Sequence, residues 1–362
     1  AGPEVVRLLL ADDKTNVNQA RTDDGNTPLN MACVLGHEGV VRLLLAHAAI
    51  DVNLATTTDD GTTPLWMACF DRNEVVVRLL LAHDKTNVNQ ARTDNGSTPL
   101  WMACEYGYEG MVRLLLAHDK TDVNQALTDT GSTPLYMACE KGHQEVVRLL
   151  LAHDKTDVNQ ALTTDATSPL FMACQKGNEE VVRLLLAHDK TDVNQAKTDT
   201  GTTPSYMACQ NGHEGVVRLL LAHDKTDVNQ VRTTDGVTPF FMACENGHEG
   251  VVRLLLEHGA DWTIGMRDNG WSPLFVASWA VKTAVVAELL ERQAADPTTA
   301  TTRQHFGIPA GSSPLYMACQ NGHEEVVRLL LADDNTNVNQ AMTTDRTTPL
   351  YMACQNGHEE VV

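Results

Sequence analysis

Aromatic residues are scarce in this 362-residue chain, at 5%, and so is positive charge: 27 Lys and Arg stand against 47 Asp and Glu, a formal net charge of −20. Nucleic acids and anionic membranes bind basic surfaces, so neither is an expected partner. No apolar run approaches the ~18 residues of a membrane span, and no membrane insertion is expected. The first residues lack a basic stretch followed by an apolar one, which argues against a signal peptide. Dinucleotide-binding, P-loop and nucleophile-elbow signatures are missing from any strand–helix setting. No Cys/His set has zinc-site spacing. These absences point away from an enzyme, a cofactor and a metal. Apolar residues, by contrast, are plentiful at 43%, against 20% charged, enough for a real core. Length alone would give two or three domains.

Internal repetition overrides that prior. The block Thr-Pro-Leu-x-Met-Ala-Cys recurs with small changes on Pro28, Pro64, Pro99, Pro134, Pro169, Pro204, Pro239, Pro273, Pro314 and Pro349. Most spacings are 35 residues; the others are 36, 34 and 41. Such a period marks supersecondary units that bury their apolar faces on their neighbours. One unit reads as follows. Thr98 is a good N-cap and Pro99 fits the first helical position. Leu100, Ala103 and Cys104 share a helical face, and Gly107 is a left-handed stop. A second helix starts near Glu109, carries Met111, Val112, Leu114, Leu115 and Leu116, and ends near His118, where a cationic tendency suits the C-terminus. A polar loop, Asp119 to Ala126, crosses to the next unit, and Asp129-Thr-Gly131 turns the chain into the next Thr-Pro pair.

Two short antiparallel helices and a projecting turn, repeated behind Thr-Pro-Leu, closely resemble the ankyrin repeat. Gly201-Thr-Thr-Pro-Ser-Tyr-Met-Ala-Cys-Gln-Asn-Gly-His-Glu-Gly-Val-Val-Arg-Leu-Leu-Leu carries the likeness, which covers essentially the whole chain. The family period is about 33 residues; here the loop is longer, and only Gly259-Ala-Asp261 keeps the short form. The resemblance implies an all-α class, a curved solenoid of about ten units. It also implies a protein-interaction scaffold whose partner binds a concave groove of turn tips and first helices. Carried over residue by residue, the groove comprises Phe70 and Asp71, Glu105 and Tyr106, Glu140 and Lys141, Gln175 and Lys176, Gln210 and Asn211, Glu245 and Asn246, and Trp279. The turn positions Asp94, Asn95 and Ser97 join them, as does Trp271. The acidic balance favours a partner with a basic surface. The family's loop Asn is a known type of hydroxylation substrate, matched by Asn89, Asn124, Asn159, Asn194 and Asn229. The second reading is a structural spacer or elastic array with no partner of its own, which the near identity of the copies favours.

The array is expected to run over 1–362, with a partial first repeat at 1–24, regular repeats at 25–261, a divergent repeat with an extended loop at 262–309, and regular repeats at 310–362, the last one truncated. The chain opens on a second helix at Glu4 and closes at Glu359–Val362 as another begins. It therefore reads as a fragment of a longer array, with uncapped ends open to end-to-end self-association. The divergent repeat holds three of the five tryptophans, Trp262, Trp271 and Trp279. It is read either as drift in a tolerant loop or as a local binding site.

Departures from the repeat carry information. The turn glycine becomes Ala166 and Arg346, and the helix-stop glycine becomes Arg72 and Val281. Ser205 replaces the buried Leu and is expected to weaken local packing by ~2 kcal/mol. All nine cysteines, Cys33, Cys69, Cys104, Cys139, Cys174, Cys209, Cys244, Cys319 and Cys354, occupy one core position. They read as reduced structural thiols in an intracellular compartment, cytoplasm or nucleus. The histidines follow the period too and read as caps. Glu38–Arg42, Glu109–Arg113 and Glu179–Arg183 have favourable i,i+4 spacing. The aromatic position after Thr-Pro-Leu, from Trp66 to Tyr351, is expected to stack internally, lining the groove only in part.

Overall fold

The computed structural model describes residues 3–57 and 60–361; Ala1, Gly2, Thr58, Asp59 and Val362 lie outside the described residues. The expected final helix start at Glu359–Val362 is thus described only to Val361, as a turn. Among the described residues there are twenty helices and no strand. They form two compact units, one of Ala1–Pro169 with Ala187–Thr191 and one of Leu170–Leu186 with Asp192–Val362.

The first unit holds α1 (Glu4–Leu10), α2 (Pro28–Val34), α3 (Glu38–Leu45), α4 (Pro64–Phe70), α5 (Glu74–Leu81), α6 (Pro99–Glu105), α7 (Glu109–Leu116), α8 (Pro134–Lys141) and α9 (Gln144–Leu151). First helices α2, α4, α6 and α8 stack in order, as do second helices α1, α3, α5, α7 and α9. The second unit runs from α10 (Pro169–Lys176) and α11 (Glu179–Leu186) through α12 (Pro204–Gln210), α13 (Glu214–Leu221), α14 (Pro239–Asn246), α15 (Glu249–Glu257), α16 (Pro273–Trp279), α17 (Thr283–Glu291), α18 (Pro314–Asn321), α19 (Glu324–Ala332) and α20 (Pro349–Asn356). There α12, α14, α16, α18 and α20 stack, and so do α11, α13, α15, α17 and α19.

The sequence signals act as physics dictates. The hydroxyls of Thr98, Thr133 and Thr238 each accept the backbone N–H three residues on, at 3.1–3.2 Å. Such a cap is worth about 1 kcal/mol. Proline follows in the position whose N–H needs no partner. Helix-stop glycines such as Gly107 and Gly212 sit at φ +70 and +72. Arg72 and Val281 keep the same backbone at φ +56 and +58, although only glycine adopts it freely. A Cβ at Gly107 or Gly212 would lie 2.7 or 2.5 Å from the ring of His143 or His248. Behind Arg72 the next unit has Tyr108 instead of histidine, and the guanidinium lies 5.3 Å over that ring. The core is Leu100, Met102, Ala103 and Cys104 of α6 against Met111, Val112 and Leu115 of α7, and their equivalents.

Seams between neighbours are fastened in up to three ways. The loop Asn reaches both sides of the next loop: Asn124 Nδ2 donates to Lys155 O at 2.7 Å, and its Oδ1 accepts from Asp157 N at 2.9 Å. Asn89 and Asn194 repeat this. Histidine Nε2 donates to the last carbonyl of the preceding first helix, His143 to Glu105 and His248 to Gln210, both at 3.0 Å. Turns join main chain to main chain, as from Thr128 N to Asn95 O at 3.1 Å and from Thr302 N to Asn269 O at 2.7 Å.

Two expected ion pairs are corrected. Arg113 turns away from Glu109 to Glu145 of the next second helix, a carboxylate that the copies with Gly39, Gly110, Gly215 and Gly250 lack. Arg183 likewise pairs with Glu180, at 3.3 Å. The helix-end His118 accepts Lys120 N–H on Nδ1 at 3.3 Å, which shapes the turn. Ser205 is buried and hydrogen-bonded to Thr203 at 3.0 Å, and the next stacked helix carries a fully buried Phe240 in place of Leu. A large residue at the matching position of the stacked helix can offset volume lost at a small one.

Eight of the nine cysteines are buried thiols, with Cys354 exposed. Burial pushes the Cys33 thiol up to about 12 and that of Cys319 up to about 11. Thiols held protonated in this way are poor nucleophiles.

Candidate functional site

The expected binding positions fall at the ends of the first helices and on the turns that precede them. In the first unit the turn at Arg92–Ser97 is held by Arg92 N to Ser97 O (2.9 Å), by a two-pronged Arg92–Asp94 pair (2.6 and 3.1 Å), and by Ser97 N to Asn95 Oδ1 (2.8 Å). The guanidinium holds Asp94 below the usual carboxylate range. Asp94 is exposed and Asn95 half-buried, but Ser97 is only 3% exposed. Two residues before the helix proline the side chain points inward, so Ser97 faces the core.

Phe70, Asp71, Glu105 and Tyr106 come together. Trp66 and Phe70 stack at 5.4 Å, Phe70 meets Tyr106 edge-on at 5.8 Å, and Tyr106 stacks on Tyr108 at 5.5 Å. A guanidinium closes each end of this row: Arg92 lies 5.0 Å over Trp66, and Arg72 covers Tyr108. The central rings stay open, Phe70 at 43% exposed and Tyr106 at 49%. Partial burial raises the carboxyl pKa of Asp71, and of Glu105, where Glu140 adds to the effect and Lys141 opposes it. Glu140 and Lys141 follow on α8, 3.9 Å apart.

In the second unit Gln175, Gln210 and Glu245 are half-buried, and Lys176, Asn211 and Asn246 exposed. Asn211 Nδ2 donates to Gln175 O at 3.1 Å, while Asn246 turns back to Met242 O at 2.9 Å. Burial raises Glu245. No helix among the described residues is long and apolar enough to cross a membrane. Among them, too, no three His, Cys, Asp or Glu gather as metal ligands would.

The family model described as Ankyrin repeats (3 copies) matches residues 1–92, 84–161, 155–232, 225–301 and 300–362. The chain belongs to the ankyrin-repeat family. No curated protein matched the sequence. Ankyrin repeats are generally protein-interaction modules and typically carry no catalysis.

Within the ankyrin pattern the divergent repeat departs most. Trp271, expected at the surface, is 2% exposed, since it occupies the same inward turn position as Ser97. Around it lie Phe275 at 5.2 Å, Trp279 at 5.5 Å, His305 at 5.7 Å and Phe306 at 6.4 Å. Trp279 is half-buried. Sequence reasoning missed Phe306, which is 79% exposed at φ +47, beside Gly307, on a turn closed by His305–Ile308 hydrogen bonds.

The aromatic position after Thr-Pro-Leu is mainly internal, as expected: Trp101, Tyr136, Phe171, Tyr206, Phe241, Phe275 and Tyr316 are buried, while Trp66 is half-buried and Tyr351 exposed. Three of these rings carry a cation from the following turn, Arg92 on Trp66, Lys197 on Phe171 at 5.9 Å and Arg232 on Tyr206 at 5.0 Å. The signal was present, a basic residue 26 positions after the ring, but it shows only once copies are laid in register. The loop asparagines matched to the family's hydroxylation position have their amides tied into the seams described above.

Proposed function

We propose that this ankyrin-repeat chain is a protein-recognition scaffold whose partner docks on the turn tips and first-helix ends. One observation carries the reading. Copies that are nearly identical elsewhere differ at these half-buried and exposed positions, running through Phe70-Asp71, Glu105-Tyr106, Glu140-Lys141, Gln175-Lys176, Gln210-Asn211 and Glu245-Asn246. Within each unit, seam residues hold these positions in shape, so little ordering entropy opposes binding there. The net charge of −20 favours a basic partner and a salt-dependent on-rate. The nine thiols fit a reducing intracellular compartment.

The test is affinity capture from a reducing cell extract. Proteins held by the wild-type chain are expected to be lost when Glu105, Tyr106, Glu140 and Lys141 are changed to Ala, and kept when the loop residues Asp119 and Lys120 are. An identical set of captured proteins in all three cases overturns the reading in favour of a spacer.

A further inference from the structure

We propose that the Phe70–Tyr106 ring pair is a seat for an arginine side chain of a basic protein segment. The inference rests on the recognition face proposed above and names its partner chemistry. This molecule already shows how its partly exposed rings are satisfied: Arg92 covers Trp66 and Arg72 covers Tyr108. The row Trp66–Phe70–Tyr106–Tyr108 therefore has a guanidinium over each end ring and none over its two central rings, Arg92 reaching Tyr106 only electrostatically. Among the described residues no cation lies over Phe70 or Tyr106, the two most open rings of the row.

The charges around the gap complete the argument. Arg92 is already engaged by Asp94 at 2.6 Å and Asp60 at 3.7 Å. Next to the ring residues in the chain, Asp71, Glu105 and Glu109 have no ion-pair partner among the described residues. Glu109 lacks one because Arg113 has gone to Glu145. Exposed rings flanked in the chain by unpaired carboxylates complement a cation that is both flat and charged. A guanidinium stacks on a ring and donates to a carboxylate at the same time; an ammonium is a compact, strongly hydrated point charge. The seat thus selects arginine over lysine, which diffuse negative charge alone does not do.

Fluorescence anisotropy of labelled nona-arginine and nona-lysine, at ~0.15 M salt to screen long-range attraction, tests this on the full chain. The wild type is expected to prefer nona-arginine by about threefold or more. Phe70→Ala/Tyr106→Ala should abolish the preference, and Asp119→Ala/Lys120→Ala should keep it. Asp71→Asn should weaken both probes. Both rings are exposed, and unchanged circular dichroism checks that the variants fold. A wild type without preference, or a preference that survives Phe70→Ala/Tyr106→Ala, overturns the seat. Either result leaves the recognition face to its own capture experiment.

Discussion

A single φ angle separates residues that look interchangeable in the repeat. Gly131 and Ala166 hold the same turn position, at φ +74 and +61. A Cβ on Gly131 would stand 2.6 Å from Thr163 Cγ2, so Gly131→Ala meets both strain and collision and should cost about 1–3 kcal/mol. Ala166→Gly should gain up to about 1 kcal/mol, the strain relief being partly offset by unfolded-chain entropy. Urea denaturation of the two variants measures both signs. The left-handed positions were legible because glycine recurs at them. The direction of Ser97 and Trp271 was not, because the turn sets which way a side chain points and the residue type does not reveal it. Burial of the aromatic position was legible from its period, but the cations above it were not, since a ring and its cation lie one turn of the repeat apart.

Among the helices, capping residues and glycine stops set the boundaries, and these were readable in sequence. Choice of ion-pair partner was not. An arginine on a second helix has a carboxylate four residues back and, in some copies, another across the seam, and packing decides between them. The α15–α17 seam shows the second choice at its fullest: Glu288, buried, takes Arg253 at 3.1 Å and also Arg292 of its own helix. The Arg253 hydrogen bond, helped by Arg292, holds its carboxyl below the usual glutamate range. Stability from such a depressed group is present above the unfolded pKa, ~4.3, and is lost as pH falls through the folded value. Glu288→Gln should therefore be less stable than wild type by about 1–3 kcal/mol at neutral pH. The gap should close on acidification, which denaturant titrations at pH 7, 5 and 3 follow. The stacked helices α12 and α14 carry a second test. Ser205→Leu alone should overpack against Phe240 and destabilise by about 1–3 kcal/mol, whereas Ser205→Leu/Phe240→Leu should recover most of that loss. A strictly additive double mutant would refute the volume exchange.

At the scale of the chain, period and family were the most legible features, because each copy restates the same helix pair and errors in reading one are corrected by the others. The site was less legible. Its residues are those that break the repeat, so no second copy confirms them, and one break, Phe306, lies on an added loop with no counterpart. The seams have a consequence of a different kind. Asn89 and Asn124 grip their following loops with the same two bonds. Excising residues 90–124 would hand Lys155 and Asp157 from Asn124 to Asn89 and leave every loop clamp closed. Recombination between near-identical gene segments can then add or drop a whole unit while each remaining copy still finds a fitting neighbour. Copy number is the property this architecture leaves most open to inheritance. Matched exchanges such as Arg72 with Tyr108, which that excision would part, mark where a change of number would be felt.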